Sequence, residues 1–236
     1  MTIFMQITDL HIDNSYDELK HINAKRKVIE ILDTIIIEPF SKLIITGDIS
    51  ESDNGIVWLL KQLDGRKIKY EFVMGNHDNC DFYETNIPGN ISTFKIDEVG
   101  KYSIISLDSS KCEIDQNQFN WLETNISYIK NEVVIFIHHP LLDCNNSLMD
   151  KKYPLLNRDK IVKLLCNHSE KIHVFCGHYH TEAIIVYKNI IQYVTPSTFY
   201  QLKTESECLE IENERSGYRI INLENDMLYT EVRYVN

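Results

Sequence analysis

Five short apolar runs in this chain each end in a tip of Gly, His, Asp or Asn, and that repeated construction restricts what the chain can fold into. Ile3 to Ile7 runs into Asp9-Leu10-His11, Leu43 to Ile45 into Gly47-Asp48, and Tyr70 to Met74 into Gly75-Asn76-His77-Asp78. Val133 to Ile137 runs into His138-His139-Pro140, and His173 to Cys176 into Gly177-His178-Tyr179-His180. Each run reads as a β-strand. In open α/β sheets ligands gather beyond the carboxyl ends of the strands, which is where these polar tips fall. Asp9 and His11 sit two apart, so they point the same way if strand geometry persists through them.

Between the strands the spacing turns helical. Asp17 to Ile37 carries Leu19, Ile22, Val28, Ile31, Leu32 and Ile35, with Pro39 after it. Ile56 to Leu63 predicts a short helix with Asp53 or Asn54 as N-cap and Gly65 as its stop. The order β, α, β, α, β argues for parallel strands with crossover helices. Ile91 to Ile96 and Tyr102 to Leu107 predict two strands joined by a hairpin at 97–100. Helices follow over Asp115 to Ile129 and Asn157 to Cys166, the latter capped by Asn157. The polar stretch from Leu142 to Pro154 is long enough to carry function. Ala183 to Lys188, Ile191 to Val194, Tyr218 to Leu223 and Met227 to Val235 read as the remaining strands. With no internal repeat or linker, residues 1–236 are expected to form a single domain.

The formal net charge of -11 argues against stable binding of nucleic acid, which rests on Lys and Arg neutralising phosphates. Part of that negative charge fits a metal site, where bound cations offset it. The longest apolar stretches are strand-sized, so no membrane span is expected. The six cysteines are scattered without a CxxC, and Met1 to Phe4 carries no basic region or long apolar stretch. Free thiols in a cytoplasmic protein are the simplest expectation.

The tips collect Asp9, His11, Asp48, Asn76, His138, His178 and His180. Imidazoles mixed with carboxylates suit Mn, Fe, Zn or Co better than Ca or Mg. Seven ligands are too many for one four-coordinate ion and match two ions that share a ligand. Asp48, alone after its Gly, is the natural bridge. Two divalent ions form a clamp for phosphoryl displacement and generate a bridging hydroxide nucleophile. His77 adjoins Asn76 but is spare in this count, so it fits the general acid.

The series Asp9-x-His11, Gly47-Asp48, Gly75-Asn76-His77-Asp78, His138-His139-Pro140 and Gly177-His178-x-His180 resembles the calcineurin-like metallophosphoesterase superfamily. Leu107-Asp108-Ser109, Gln118-Phe119-x-Trp121-Leu122, Thr195-Pro196-Ser197-Thr198 and Gly217-Tyr218-Arg219 resemble its Icc-type class III cyclic-nucleotide phosphodiesterases. The resemblance covers nearly the whole chain. It implies an α/β fold, a four-layer α/β/β/α sandwich of two mixed sheets flanked by helices. One metal would take Asp9, His11, Asp48 and His180, and the other Asp48, Asn76, His138 and His178. Asn76, His77 and His139 would face the substrate, a small-molecule phosphodiester that is most simply a 3′,5′-cyclic nucleotide. The alternatives are a broader phosphodiesterase acting on 2′,3′-cyclic nucleotides or glycerophosphodiesters, and a non-catalytic metal-binding scaffold. A homodimer is compatible with the resemblance. Tyr179 departs from it, standing where a smaller aliphatic residue is expected.

Overall fold

Side-chain alternation along the apolar runs sorts the strands into two sheets with a core between them and a core outside each. The computed structural model describes residues 1–16, 19–87, 94–224 and 227–235. The chain begins β1 (Thr2–Ile7), α1 (Ala24–Ile35), β2 (Lys42–Thr46), α2 (Asp53–Gly65), β3 (Tyr70–Val73) and α3 (Cys80–Asn86). It continues β4 (Phe94–Val99), β5 (Tyr102–Leu107), α4 (Gln116–Tyr128), β6 (Glu132–Phe136), α5 (Met149–Lys152), α6 (Arg158–Leu165) and β7 (Ile172–Cys176). The last third is all strand: β8 (Ala183–Tyr187), β9 (Ile190–Val194), β10 (Gln201–Leu202), β11 (Ile211–Asn213), β12 (Ser216–Glu224) and β13 (Met227–Val235).

One sheet has the order β13-β12-β1-β2-β3, the other β4-β5-β6-β7-β9-β8, and β10 pairs with β11 alone. β1, β2 and β3 run parallel, with Met5 beside Leu43 and Ile45 beside Phe72, while β12 returns antiparallel on β1. In the second sheet β5, β6, β7 and β9 run parallel, and β4 and β8 close its edges antiparallel. Both sheets are therefore mixed. Phe4, Ile44, Val73, Val134, Phe136 and Phe175 point into the space between them. Their chain neighbours Met5, Leu43, Ile45, Val133 and Ile135 point the other way, because successive strand side chains alternate. The outward set of the first sheet packs with Val28, Ile31, Leu32, Leu59 and Leu63 of α1 and α2. That of the second packs with Phe119, Leu122, Ile161 and Leu165 of α4 and α6. The result is the four-layer α/β/β/α sandwich. Each fully buried side chain of this kind contributes roughly 1.5–3 kcal/mol. Among the described residues no helix is long and apolar enough to cross a membrane.

Several boundaries differ from the sequence expectation, each for a local reason. The first helix starts at Ala24, not Asp17, because the Asn23 side chain accepts from Arg26 N and caps it there. Residues 17–18 lie outside the described residues. In α2 the cap is Ser52, whose Oγ accepts from Gly55 N at 3.0 Å, one residue before the expected Asp53. Asn157 occupies the N-cap position of α6, but its side chain spans to the Ile114 backbone and caps nothing. β4 extends through 97–99, the stretch expected to be a connector, and turns at Gly100, whose φ is +59°. The expected strand residues 91–93 and the 225–226 turn fall outside the described residues.

Candidate active site

The residues after β1, β2, β3, β6 and β7 converge at one end of the sandwich. Asp9, His11, Asp48, Asn76 and His77 come from the first sheet, and His138, His178 and His180 from the second. The strand geometry does not persist past Ile7. Asp9 and His11 turn to φ 52° and 44°, Asp48 to 50°, and His178 and His180 to 67° and 47°. Asp and His tolerate this left-handed region better than most residues, and such clustering marks functional sites. The turns are held by exchanged backbone bonds: Asp9 N donates to Gly47 O at 3.0 Å and His11 N to Asp48 O at 3.0 Å. His178 N donates to Asp9 Oδ2 at 3.0 Å, and Ser197 Oγ to the Asp9 carbonyl at 2.9 Å. Gly47 is required at φ +87°, and any Cβ there would lie 2.6 Å from Gly75 N and from His138 Nδ1. Asp78 ties the loops together, accepting from Ile49 N and Gly75 N at 2.8 Å each.

Two pairs of ring nitrogens face each other. His11 Nε2 lies 3.2 Å from His180 Nε2, and His138 Nε2 lies 3.2 Å from His178 Nδ1. Asp48 Oδ2 is 3.9 Å from His11 Nε2 and 3.3 Å from His138 Nε2, so its carboxylate reaches both pairs. Asp9 Oδ1 stands 3.5 Å from His180 Nε2. Ligand atoms of Asp9, His11 and His180 fall within 4.8 Å of one another, as do those of Asp9, Asp48 and His138. The opposite ring nitrogens are already committed. His11 Nδ1 meets Glu51 Oε1 at 3.0 Å, and His138 Nδ1 meets Thr46 O at 2.7 Å. His178 Nε2 meets Tyr153 O at 3.0 Å, and His180 Nδ1 meets Tyr200 O at 3.1 Å. A ring that donates to those oxygens presents a bare lone pair at its other nitrogen. Two lone pairs 3.2 Å apart repel unless a cation or proton lies between them. The Asn76 Oδ1 is also buried and lacks a hydrogen-bond partner. This donor set fits divalent metal ions.

Burial pushes His178 down to about 3 and His180 well below the usual imidazole range, helped by the neighbouring rings. Both therefore offer neutral lone pairs at neutral pH, the form a metal binds. Burial opposes the charge on Asp48, yet the facing His138, His11 and His77 outweigh it and hold the carboxyl well below its ordinary value. His77 stands apart from the facing pairs. Its backbone N donates to Asp48 Oδ1 at 3.0 Å, and its Nδ1 lies 3.1 Å from Glu51 Oε1. That carboxylate raises His77 to about 9, against burial.

The cluster opens into a cavity of about 650 Å³ lined by His11, Asp48, Asn76, His77, His178 and His180 on its polar side. That volume lies within the ordinary range for small-molecule sites. His139 differs from the expectation that it faces the substrate. It is buried behind His178, with ring centroids 4.2 Å apart, bonds Ser109 Oγ through Nδ1 at 2.9 Å, and does not line the cavity. Of the neighbouring Phe199 and Tyr200, the first is buried and the second lines the cavity. Tyr179 is fully buried in the same core as Leu142, Met149 and Leu155, so the 142–154 segment folds over the bulk that a smaller residue would lack. Glu51 escaped the sequence reading. Its one signal is a carboxylate three positions after Asp48, masked within a polar Ser50-Glu51-Ser52-Asp53 lead-in to a helix.

Comparison with known proteins bears on the family and the fold. A probable cyclic nucleotide phosphodiesterase of Fibrobacter succinogenes is 26% identical over 239 residues, spanning 98% of this chain and 93% of its own. A 3′,5′-cyclic-nucleotide phosphodiesterase of Nostoc sp. is 26% identical over 238 residues, spanning 95% and 89%. Among solved structures, a dimetal phosphatase from Danio rerio superposes with a TM-score of 0.71 at 12% identity, covering 93% of this chain and 94% of that one; at that identity the likeness concerns the fold. Residues 3–182, which contain all seven expected metal ligands together with His77, match the calcineurin-like phosphoesterase family, and the chain belongs to it.

Proposed function

We propose that the protein is a two-metal phosphodiesterase that hydrolyses 3′,5′-cyclic nucleotides, converting cyclic AMP to AMP. The observation that carries the reading is the two facing imidazole pairs, both within reach of Asp48, with His77 beside them and outside both. The names of the Fibrobacter and Nostoc relatives support the substrate class, since both align along nearly the whole chain. Asp9, His11, Asp48 and His180 would hold one ion, and Asp48, Asn76, His138 and His178 the other. Mn, Fe, Zn or Co suit this mixed nitrogen and oxygen set. When bound, two such ions polarise the phosphoryl oxygens and lower the pKa of water toward neutrality.

The remaining work falls to this chain's side chains. Asp48 spans the two pairs and fixes their separation. Glu51 holds His77 by Nδ1, so Nε2 is the nitrogen left to meet the substrate. The Glu51 carboxylate at Nδ1 raises the ring above its ordinary value and so favours the protonated form that a general acid needs. As a water-derived hydroxide oxygen bonds to phosphorus and the P–O bond to the ribose oxygen breaks, the Nε2 proton passes to that leaving oxygen, and Glu51 balances the imidazolium until it is lost. No disulfide forms among the described residues, in keeping with a reducing compartment such as the cytoplasm.

The test measures metal content and two rates on one preparation of His77→Ala loaded with Mn²⁺. A ribose alkoxide leaves poorly and needs the acid; p-nitrophenolate leaves well. The variant should keep its metals and lose roughly 10²–10⁴-fold on cyclic AMP, with a clearly smaller loss on bis(p-nitrophenyl) phosphate. Equal losses would make His77 an electrostatic stabiliser of the phosphoryl oxygens. Metal-loaded wild-type protein that turns over neither diester would establish a scaffold instead.

A further inference from the structure

The cavity has two chemically different parts. Its polar side carries the His and Asp cluster. Tyr16, Tyr153 and Leu209, which are 55%, 43% and 59% exposed, form part of its apolar side. They come from the connection between β1 and α1, from the residue after α5, and from the segment leading into β11. No local sequence pattern gathers them; the fold does. Leu19, Met149 and Ile211 add less exposed apolar surface to the same lining. Large apolar side chains left in water around a polar centre mark a surface that a ligand covers. Charge is equally one-sided. Among the described residues no Lys or Arg lines this cavity; its two acids are Asp48 and Glu210, and Glu210 is already paired with Lys203. Beyond the His and Asp cluster, no described side chain of the lining offers a cation to a charged anionic substituent, and Lys203, paired with Glu210, is already neutralised by it.

We infer that Tyr16, Tyr153 and Leu209 form an apolar collar that selects phosphodiesters carrying one flat, uncharged aromatic group, such as a nucleobase, over diesters of small polar alcohols. The inference rests on the phosphodiesterase reading above for the phosphoryl chemistry. The two phenol rings offer stacking faces, and every base has a π-face to match. The collar acts on binding, not on bond breaking, so its signature lies in KM rather than kcat.

Calorimetric titration of the Mn²⁺-loaded protein with adenosine 5′-monophosphate and with ribose 5-phosphate isolates the collar, because these ligands share a phosphate and differ by the base. The wild type should bind the first at least about tenfold more tightly, the usual worth of one base stacked on an aromatic side chain. Tyr16→Ala and Tyr153→Ala should shrink that ratio several-fold, and the Tyr→Phe variants, which keep the ring, should preserve it. Equal affinities in the wild type, or a ratio that the alanine variants leave unmoved, would overturn the collar. Steady-state rates on cyclic AMP and on glycerophosphoethanolamine separate this claim from the one beneath it. In the alanine variants kcat/KM should fall more on cyclic AMP than on the small diester, through KM. If neither diester is hydrolysed while the calorimetric ratio stands, the phosphodiesterase reading fails and the collar survives. If both are hydrolysed and the substitutions depress them equally, the collar fails and the reading survives.

Discussion

Each imidazole in the two facing pairs is committed at one ring nitrogen by a carboxylate or a carbonyl of the protein itself. Thr46, Tyr153 and Tyr200 supply backbone oxygens, and Glu51 a side-chain oxygen that it also extends to His77. The Glu51 carboxyl is pushed up by burial but pulled further down, to about 2, by its bonds to His11 and His77. Since that value lies below the ordinary 4.5, the stability Glu51 contributes is present above pH 4.5 and is lost as pH falls toward 2. His77 is raised above its ordinary 6.5, so its contribution is complete below 6.5 and is lost as pH rises through about 9. In metal-free protein, Glu51→Gln should therefore lower the melting temperature most between pH 4.5 and 6.5, with the gap closing at both extremes. Thermal scans across that range check it; a deficit that stays constant from roughly pH 2 to 10 would mean that the ion pair contributes nothing. At this scale the sequence was informative wherever a polar residue interrupts an apolar run, which is how all seven strand-end residues and His77 were legible. Glu51 was not, because an acid in a polar helix lead-in looks like any solvated turn.

Among the elements, the 142–154 segment does more than connect β6 to α6. Its Tyr153 carbonyl orients His178, and its own shape depends on Asp150, whose carboxylate accepts from Cys144 N at 3.1 Å and Asn146 N at 2.8 Å. Removing that acceptor leaves two backbone donors short of a partner, a cost of about 1–3 kcal/mol. Asp150→Ala should lower the melting temperature. It should also weaken metal retention roughly 10–100-fold through the freed His178 ring, the usual effect of losing such outer support. Elemental analysis after dialysis against limiting Mn²⁺ checks this, and full retention would show that Tyr153 holds His178 without help. The length of this segment was visible in the sequence; its job was not, since a carbonyl leaves no mark in a residue's name. The central strands were legible for the opposite reason, a buried run rich in β-branched and aromatic residues. The half-exposed β8 carries such a run too, and β4 and β13 show through an alternation of apolar and polar residues along part of their length. The hairpin of β10 and β11, two and three residues long, was too short to show a period, and so was α3.

Across the whole molecule, the shared carboxylate should matter more than any other ligand. Asp48 Oδ2 reaches a ring nitrogen of each imidazole pair, 3.9 Å from His11 and 3.3 Å from His138, whereas Asp9 Oδ1 stands 3.5 Å from His180 in one pair. Asp48→Ala is expected to lose both ions and Asp9→Ala one, as counted by elemental analysis after Mn²⁺ loading; two ions held tightly without Asp48 would refute the bridging role. The sheets are joined next to these candidate ligands by a buried polar chain. Arg219 of β12 donates to Thr195 Oγ1 at 2.9 Å and to Val194 O at 3.0 Å, and Thr195 donates to Gln6 at 2.7 Å. The four-layer plan itself was foreseeable only through the resemblance, because an unbroken apolar run says that a strand has two buried faces but not which partner covers each. The candidate ligands that meet at the open end of the sandwich come from opposite sheets, and His11 and His180 are 169 positions apart in the chain. A cation held between them is thus also a rivet. It closes a loop of most of the chain's length, and the unfolded polypeptide cannot reproduce it. Cohesion between the two halves then becomes a function of free metal, worth about 2.7 kcal/mol for each ion present at a hundred times its dissociation constant. Starved of metal, such a protein loses its mechanical joint together with its chemistry.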